Sequence, residues 1–459
     1  MKKVDLIIIG GGPAGYETAL LASKKGKQTV LIESKWLGGT CLNEGCIPTK
    51  CLCRSAEIKR LLGNNAFLEE LGMECVNKGF DVSKAISRKN KIVDSLNGGI
   101  KSMLKAAKVE VVYGNAYFKS SHVVEVELAK GEQGETGYTA DNIIVATGAE
   151  TKFLPINGVH SAGVLTSREL LNLESVPKDI CIIGGGVIGM EFASIYSAFG
   201  SDVSVIEYCP EILPNFDRDI AKRLRMGLTK KGVNFHLNSS VCGIEKTDTG
   251  RMCVRYTSKD GEKCADAEIV LMATGRAANT ERLNLDEAGV AVNKRGIVVD
   301  ENFETSAKGV YAIGDVNGTL QLAHVAKFQG KRALAHILGE PSLVNFDIVP
   351  AVVFTMPELS MVGLTEEECK SKDIAFKSRK AFYRANGKAA ASGETDGLVK
   401  VLTSPEGKIL GAHILGDHAS DLIHEVVMAM HLSGSISDIN DVIHAHPTLS
   451  ELVLDASES

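Results

Sequence analysis

Apolar positions along the chain fall into short unbroken runs, separated by glycine turns and by stretches with helical spacing. The first strand-like run, Val4 to Ile9, leads into a glycine turn, a helical stretch and a second run ending in Glu33. This succession predicts a βαβ unit. The same succession returns without a gap at an offset of 174, from Asp179 to Glu207. Asp5/Asp179, Gly10/Gly184, Gly12/Gly186, Gly15/Gly189, Glu17/Glu191, Gly26/Gly200 and Glu33/Glu207 coincide. Each copy is followed by a similar strand, Asn142 to Ala149 after the first and Glu268 to Arg276 after the second.

Between the first unit and its follower, Pro48 to Ala107 reads as two helices, and Val109 to Tyr113 and Val123 to Leu128 as strands. Gly309 to Asp315 is another strand-like run, with a helix expected around Ala323 to Leu338. Beyond Pro341 the pattern becomes that of an antiparallel sheet: Ile348 to Phe354, Ala375 to Tyr383, Leu398 to Thr403 and Lys408 to Ile414. Ser404-Pro405-Glu406-Gly407 would turn the last two into a hairpin, and helices are expected at Ala419 to Leu432 and Leu449 to Ala456. The class is therefore α/β: two Rossmann-like dinucleotide-binding domains, a central segment and a C-terminal α+β domain. The expected bounds are 1–149, 150–275, 276–345 and 346–459.

Composition narrows the function classes. At 459 residues more than one core is expected. Fifty-one basic against 57 acidic residues argue against nucleic-acid binding through bulk positive charge. No apolar run reaches the ~18 residues of a membrane span. Met1-Lys2-Lys3 passes directly into a strand, which argues against a signal or transit peptide. Eleven scattered cysteines favour a reducing, cytoplasmic setting over a secreted disulfide scaffold.

The glycines carry specific chemistry. Gly10 allows a tight turn, Gly12 lets the backbone approach a pyrophosphate, and Gly15 lets the helix pack on the strand. Gly184, Gly186 and Gly189 repeat this, and each helix N-terminus presents unpaired N–H groups to phosphate. Glu33 and Glu207 stand where a carboxylate accepts ribose hydroxyls. Glu207 would repel a 2′-phosphate, and no Arg lies between Ser204 and Pro210, which favours NAD over NADP unless Arg218 or Arg223 folds back.

Cys41 and Cys46, separated by four residues just before a proline-started helix, suit a redox-active disulfide. Two other readings stay open: a metal cluster of Cys41, Cys46, Cys51 and Cys53, or plain core cysteines. The spacing lacks short CxxC pairs, so no metal is expected. Near the end, His446 is followed across Pro447 by Glu451, a base with its orienting acid or simply two surface residues.

The motifs GGGPAG, GGTCLNEGCIPTK, IIVATG, GGGVIGME, YAIGDV and HAHPTLSE occur in the order found in flavin-dependent disulfide reductases. The chain resembles that family over nearly its whole length, and most the members that oxidise dihydrolipoamide. The resemblance implies FAD in the first unit and NAD in the second. Glu33 would take the adenosine ribose of FAD, Ala116 its adenine, and Thr40, Thr147 and Gly148 further parts of the cofactor. Lys50 would lie beside the flavin, paired with Glu191, with Gly314 and Asp315 at the ribityl and pyrophosphate and Ala323 at the ring. Glu207, Val241 and Gly275 match NAD-contacting positions. Cys41 would exchange with substrate, Cys46 would face the flavin, and His446, supported by Glu451, would serve the other subunit of a homodimer.

The implied reaction is dihydrolipoamide + NAD⁺ ⇌ lipoamide + NADH + H⁺. The implied partners are lipoyl-bearing proteins, the acyltransferase of a 2-oxoacid dehydrogenase complex or a glycine cleavage carrier. An NADH-dependent reductase of another small disulfide is the alternative on the same fold; a catalytically silent scaffold would not need all four of Cys41, Cys46, His446 and Glu451. Gly189 and Glu207 depart from the NADPH-dependent relatives, and Arg276-Ala277-Ala278-Asn279 replaces the Arg-Pro-Asn common among the dihydrolipoamide-oxidising members.

Overall fold

All four residues of the Leu6–Ile9 strand are buried, as expected of a parallel strand covered on both faces. It pairs in parallel with Thr29–Glu33 on one side and Asn142–Val145 on the other. The chain thus reverses its direction of winding at this strand, and the turn at its C-terminal end opens where doubly wound sheets bind ligands. The structure, a computed structural model, describes residues 1–74 and 79–459.

The chain forms two compact units. The first comprises Met1–Thr49, Ser87–Lys152 and Gly275–Val344. Its eight-stranded sheet runs Lys2–Lys3, Gly137–Thr139, Val123–Leu128, Glu110–Ser120, Thr29–Glu33, Leu6–Ile9, Asn142–Val145, Val310–Ala312. Val310–Ala312 adds to Asn142–Val145 in parallel, so the segment after Gly275 completes this sheet. The Ala323–Ile337 helix packs on Pro13–Lys24 at Gly330, where a Cβ would lie 1.9 Å from Thr18 Oγ1.

The second unit comprises Lys50–Ile86, Phe153–Thr274 and Asn345–Ser459. A five-stranded parallel sheet orders Asn234–His236, Asp202–Ile206, Asp179–Ile183, Ile269–Met272 and Val164–Leu165. A three-stranded antiparallel sheet, Ser240–Lys246, Met252–Ser258 and Gly261–Ala267, shares a core with it through Ile183, Val254 and Val270. The C-terminal residues form the expected antiparallel sheet, ordered Ala351–Val353, Glu358–Gly363, Ile409–Gly416, Leu398–Thr403, Lys377–Phe382, backed by the Ala419–His431 helix. The turn at Ser404 closes the expected hairpin, with the Ser404 N–H donating to Lys408 O at 2.8 Å.

Several elements differ from expectation. Pro48 to Ala107 holds three helices, Cys46–Gly63, Asn65–Glu70 and Val82–Ala106, and its residues 75–78 lie outside the described ones. Glu110–Ser120 continues well past Tyr113, because alternating Gly114, Ala116 and Phe118 enter the core as the strand turns to pair antiparallel with Val123–Leu128. The strand expected at Gly309 to Asp315 is shorter, since Gly314, at φ +75°, starts a 3₁₀ turn. Among the described residues no helix is long and apolar enough to cross a membrane.

Candidate active site

In the first unit, Gly10 has φ +108°, and a Cβ there would lie 2.3 Å from Ala146 O. A Cβ on Gly15 would lie 1.8 Å from Gly10 O, so both positions exclude any side chain. Gly12 caps the Pro13–Lys24 helix without a side-chain hydrogen bond, leaving the helix N-terminus open to an anion. The Glu33 carboxylate, 8% exposed, accepts the Gly11 N–H at 2.6 Å and the Lys35 N–H at 2.6 Å. Each carboxylate oxygen has two lone-pair sites, so capacity remains for hydroxyls.

The cysteine segment packs on this loop. A Cβ on Gly39 would lie 2.7 Å from Gly12 Cα, so the short Gly39–Asn43 helix carrying Thr40 and Cys41 rests directly against the glycine turn. Asn43 fixes that helix by donating from Nδ2 to Leu37 O and Gly39 O, both at 2.9 Å. Asn97 reaches in from the Val82–Ala106 helix to Leu37 O at 2.7 Å and Asn43 Oδ1 at 3.2 Å. Burial first, then Glu17 and Cys41, push the Tyr16 phenol in the first turn of the Pro13–Lys24 helix up to about 12. Cys46 is the first residue of the next helix, half-buried like Cys41.

The later segments of this unit close around the same turn. Thr147 Oγ1 donates to Asn279 O at 2.7 Å, and the Asn279 side chain donates back to Thr147 O at 3.1 Å. The Asn279 N–H meets Gly148 O at 2.9 Å. Arg276–Ala278 pairs antiparallel with Ala149–Thr151, so a strand pair forms without the proline that the commoner Arg-Pro-Asn would place there. Arg276 Nε stands 3.7 Å from Asp315 Oδ2; burial pushes the Asp315 carboxyl up, against the opposing pull of Arg276. Gln329, almost wholly buried, accepts the Gly314 N–H at 2.7 Å and an Asn317 Nδ2 hydrogen at 2.9 Å. Ala323 starts the Ala323–Ile337 helix, whose N-cap Leu322 provides no side-chain bond. Ala116 is buried opposite Val126.

The second unit repeats the first turn. A Cβ on Gly184, at φ +109°, would lie 2.4 Å from Ala273 O, and one on Gly189 2.0 Å from Gly184 O. Gly186 caps the Val187–Phe199 helix without a side chain. Glu207, 7% exposed, accepts the Gly185 N–H at 2.5 Å and the Cys209 N–H at 2.6 Å. Val241 lies half-buried on Ser240–Lys246 opposite Tyr256. Of the two arginines that could fold back, Arg223 is engaged elsewhere, its Nε with Asp219 at 3.2 Å; Arg225 is likewise held, bidentate on Glu211 at 2.7 and 3.0 Å. In the first unit, Gly275 adopts φ +100° with open space where a Cβ would point.

Lys50 Nζ meets both Glu191 oxygens at 3.0 Å and lies 4.4 Å from the Phe354 ring centroid. Glu191 also accepts the Phe354 N–H at 2.9 Å. Burial and the Glu191 charge push the neighbouring Cys53 thiol far up, so Cys53 stays a protonated thiol. In the C-terminal segment, His446 Nδ1 and Glu451 Oε1 are 2.8 Å apart, and Glu451 Oε2 accepts the Thr448 N–H at 2.8 Å. These two bonds hold the Glu451 carboxyl below its ordinary range. Among the described residues, the one Cys/His/carboxylate group close enough to share an ion is Cys253, Cys264 and Asp266; the segment from Cys41 to Cys53 gathers none.

Two family models cover the chain: pyridine nucleotide-disulphide oxidoreductase over residues 4–330 and the dimerisation domain of the same enzymes over 349–457. The chain belongs to the pyridine nucleotide-disulphide oxidoreductases. It is 38% identical to a dihydrolipoyl dehydrogenase of Geobacillus stearothermophilus, over 99% of this chain and 96% of that one. It is also 38% identical to the mitochondrial dihydrolipoyl dehydrogenase of Pisum sativum, over 99% of this chain and 90% of that one. The HOCl-induced flavoprotein disulfide reductase RclA of Escherichia coli, solved as its Cu(II) complex, matches with TM-score 0.88 and 32% identity over 100% of this chain and 99% of that one.

As a pyridine nucleotide-disulphide oxidoreductase the chain is an enzyme whose cofactors are FAD and NAD(H). The glycine turns, empty of Cβ atoms and topped by uncapped helix N-termini, fit two dinucleotides. Sequence reading passed over Asn43, Asn97, Gln329, Asn279 and Phe354 as positioning residues. Asn43 stood inside the GGTCLNEGC motif and was legible there; Asn97 and Gln329 act through tertiary approach and carried no local signal.

Proposed function

We propose that the chain oxidises protein-bound dihydrolipoamide to lipoamide and reduces NAD⁺ through a Cys41–Cys46 disulfide. One observation carries this reading: the cysteine segment rests on the first dinucleotide turn, Gly39 against Gly12. This packing supports a dithiol relay beside the nucleotide that the turn would hold.

FAD, held by the Gly10–Gly15 turn and Glu33, would supply the two-electron chemistry that links the cysteine pair to NAD⁺. The chain's residues manage the thiols and protons. His446 Nδ1 is engaged by Glu451, so Nε2 is the nitrogen that removes a substrate proton. A thiol of pKa ~8.5 is mostly protonated at neutral pH, and only its thiolate attacks a disulfide well. The thiolate attacks Cys41, the Cys41–Cys46 bond breaks with Cys46 leaving as thiolate, and the second substrate thiol then displaces Cys41 to release lipoamide. Within a homodimer, supported by the dimerisation domain over 349–457, His446 serves the cysteine pair of the second subunit. The working division is FAD binding by 1–149 with 276–345, NAD binding by 150–275 and dimer contact by 346–459, in a reducing cytoplasm. Glu207 with the engaged Arg223 and Arg225 supports NAD over NADP.

The test is NADH formation by the purified yellow protein with dihydrolipoamide, and its loss in Cys46→Ser with flavin retained. Faster turnover of NADH with glutathione disulfide or coenzyme A disulfide would instead favour the reductase reading, which the likeness to the Escherichia coli disulfide reductase keeps as the second one.

A further inference from the structure

The three-stranded sheet Ser240–Lys246, Met252–Ser258, Gly261–Ala267 turns one face to the core and one to water. Met252, Val254 and Tyr256 are buried, so Cys253, Arg255 and Thr257 point outward. On the neighbouring strand Glu262, Cys264 and Asp266 are exposed. Cys253 pairs in register with Asp266, and Arg255 with Cys264, so the two cysteines are diagonal neighbours on the outer face. They are joined by a disulfide, with Cα atoms 5.9 Å apart.

The sheet does not depend on this bond for its construction. The strand pair is already zipped by seven consecutive register pairs from Met252/Ala267 to Ser258/Gly261. Its inner face is anchored in a core of Ile183, Val254 and Val270. A disulfide that is exposed and joins strands already paired along their length belongs to the labile kind that exchanges with thiols.

We propose that Cys253–Cys264 is a second thiol–disulfide exchange site, reduced by small dithiols at the outer face of this sheet. Cys264 is exposed and Cys253 half-buried, so an incoming thiolate attacks the Cys264 sulfur and Cys253 leaves as thiolate. The second thiol of the reagent then attacks its own bound sulfur, closing a cyclic disulfide and releasing Cys264 as thiolate. Two electrons pass from the dithiol to the protein pair, and the reverse exchange with a cyclic disulfide restores the bond. Dihydrolipoamide and lipoamide are such a couple, a point that rests on the proposed function; dithiothreitol and its cyclic disulfide are another, which does not.

The experiment counts thiols rather than turnovers. Native holoprotein is equilibrated with reduced or oxidised dithiothreitol, or with dihydrolipoamide or lipoamide, quenched in acid, unfolded, alkylated and mapped by peptide mass spectrometry. Cys253 and Cys264 should be alkylated together after either dithiol and protected together after either cyclic disulfide, a difference of two thiols at this pair on top of any change at Cys41 and Cys46. The Cys46→Ser variant should show the same two, since the site works without the Cys41–Cys46 pair. Cys242, exposed on the adjacent strand and outside any disulfide, is the internal control and should be alkylated throughout. Alkylation of the pair under all conditions, or its protection until the protein is unfolded in reductant, would overturn the proposal. Exchange with dithiothreitol alone would leave the site standing and count against dihydrolipoamide as its natural reagent.

Discussion

The Glu33 carboxylate clamps the backbone of Gly11, with Oε2 2.6 Å from the amide nitrogen. Glu207 does the same to Gly185 in the second unit, at 2.5 Å. In both, the other oxygen accepts an N–H two residues downstream, from Lys35 and Cys209. The residue assigned to a ribose therefore also fixes the shape of the turn that meets the phosphates. One carboxylate ties the second strand of the βαβ unit to the loop after the first, which gives a physical reason for the acid to recur at the same distance in both copies.

Removing either carboxylate should cost more than one ligand contact. Hydrogen bonds to a charged group contribute about 1.5–3 kcal/mol each, and two backbone bonds are lost along with the ribose contact. Glu33→Ala should bind FAD at least ~10-fold more weakly, read as flavin lost on gel filtration. Glu207→Ala should retain its flavin and show a raised KM for NAD⁺. Equal flavin retention in the two variants would contradict the division of cofactors between the turns.

Coenzyme choice is a separate prediction from the same position. Arg223 and Arg225 are held by Asp219 and Glu211, which leaves the Glu207 charge uncompensated by either of them. Glu207→Arg removes repulsion and adds a phosphate partner. The ratio of kcat/KM for NADPH over NADH should rise by ~10-fold or more, one strong charged contact being worth about 1.5–3 kcal/mol. Part of the effect will be lost to a weaker turn, since Arg cannot accept the Gly185 N–H.

His446 is exposed at its ring and anchored at Nδ1 by Glu451. His446→Ala should slow the dithiol half-reaction by ~10² or more while leaving flavin content and NADH oxidation by artificial acceptors unchanged. Glu451→Gln keeps a hydrogen-bond acceptor but loses the charge, so its defect should be smaller and in the same half-reaction. Stopped-flow reduction by dihydrolipoamide separates the two half-reactions.

Much of this arrangement is legible in the order of residues because it is local. The Leu6–Ile9 and Asp179–Ile183 strands, the glycine turns and the acids at Glu33 and Glu207 all lie within one βαβ unit. The His446–Glu451 pair is five residues apart, and its ring and carboxylate meet at 2.8 Å. What escapes is built across long separations. Gln329 reaches Gly314 from a helix, Asn97 supports Asn43 across 54 residues, and Phe354 meets Glu191 across 163. The sheet of Ser240–Lys246 and its neighbours was also unread: its outer strand, Glu262 to Asp266, is nearly all polar or small, and without a clear apolar alternation it gives no strand signal.

A buried charge cluster inside the second unit sets a last expectation, for stability against pH. Lys400 is 1% exposed, with Nζ 2.8 Å from both Asp217 oxygens and 2.8 Å from Glu366 Oε1. Asp217 also caps the Arg218–Lys230 helix, and Glu366 opens Glu366–Ser371, so one ammonium ties two helix starts to the Leu398–Thr403 strand. Burial alone would raise the Glu366 carboxyl, but Lys400 outweighs it and holds it down to about 2. Its stabilisation is thus fully present above the ordinary 4.5 and lost as pH falls towards 2. Burial pushes the neighbouring His413 below 6.5, so it too stabilises above 6.5 and loses that contribution as pH falls through its lowered value. Lys400 itself is raised from 10.5 by its two carboxylates, against burial; its share is present below 10.5 and disappears above. Resistance to urea should therefore be flat between those two limits and decline first on the acid side. Lys400→Met strands Asp217 as a buried unpaired charge and should cost about 3–5 kcal/mol, while Lys400→Met with Asp217→Asn should recover part of that loss. In both variants the acid decline between 4.5 and 2 should flatten, because Glu366 no longer has the cation that lowers it. An unchanged acid limb in urea titrations would show that Glu366 does not owe its acidity to Lys400.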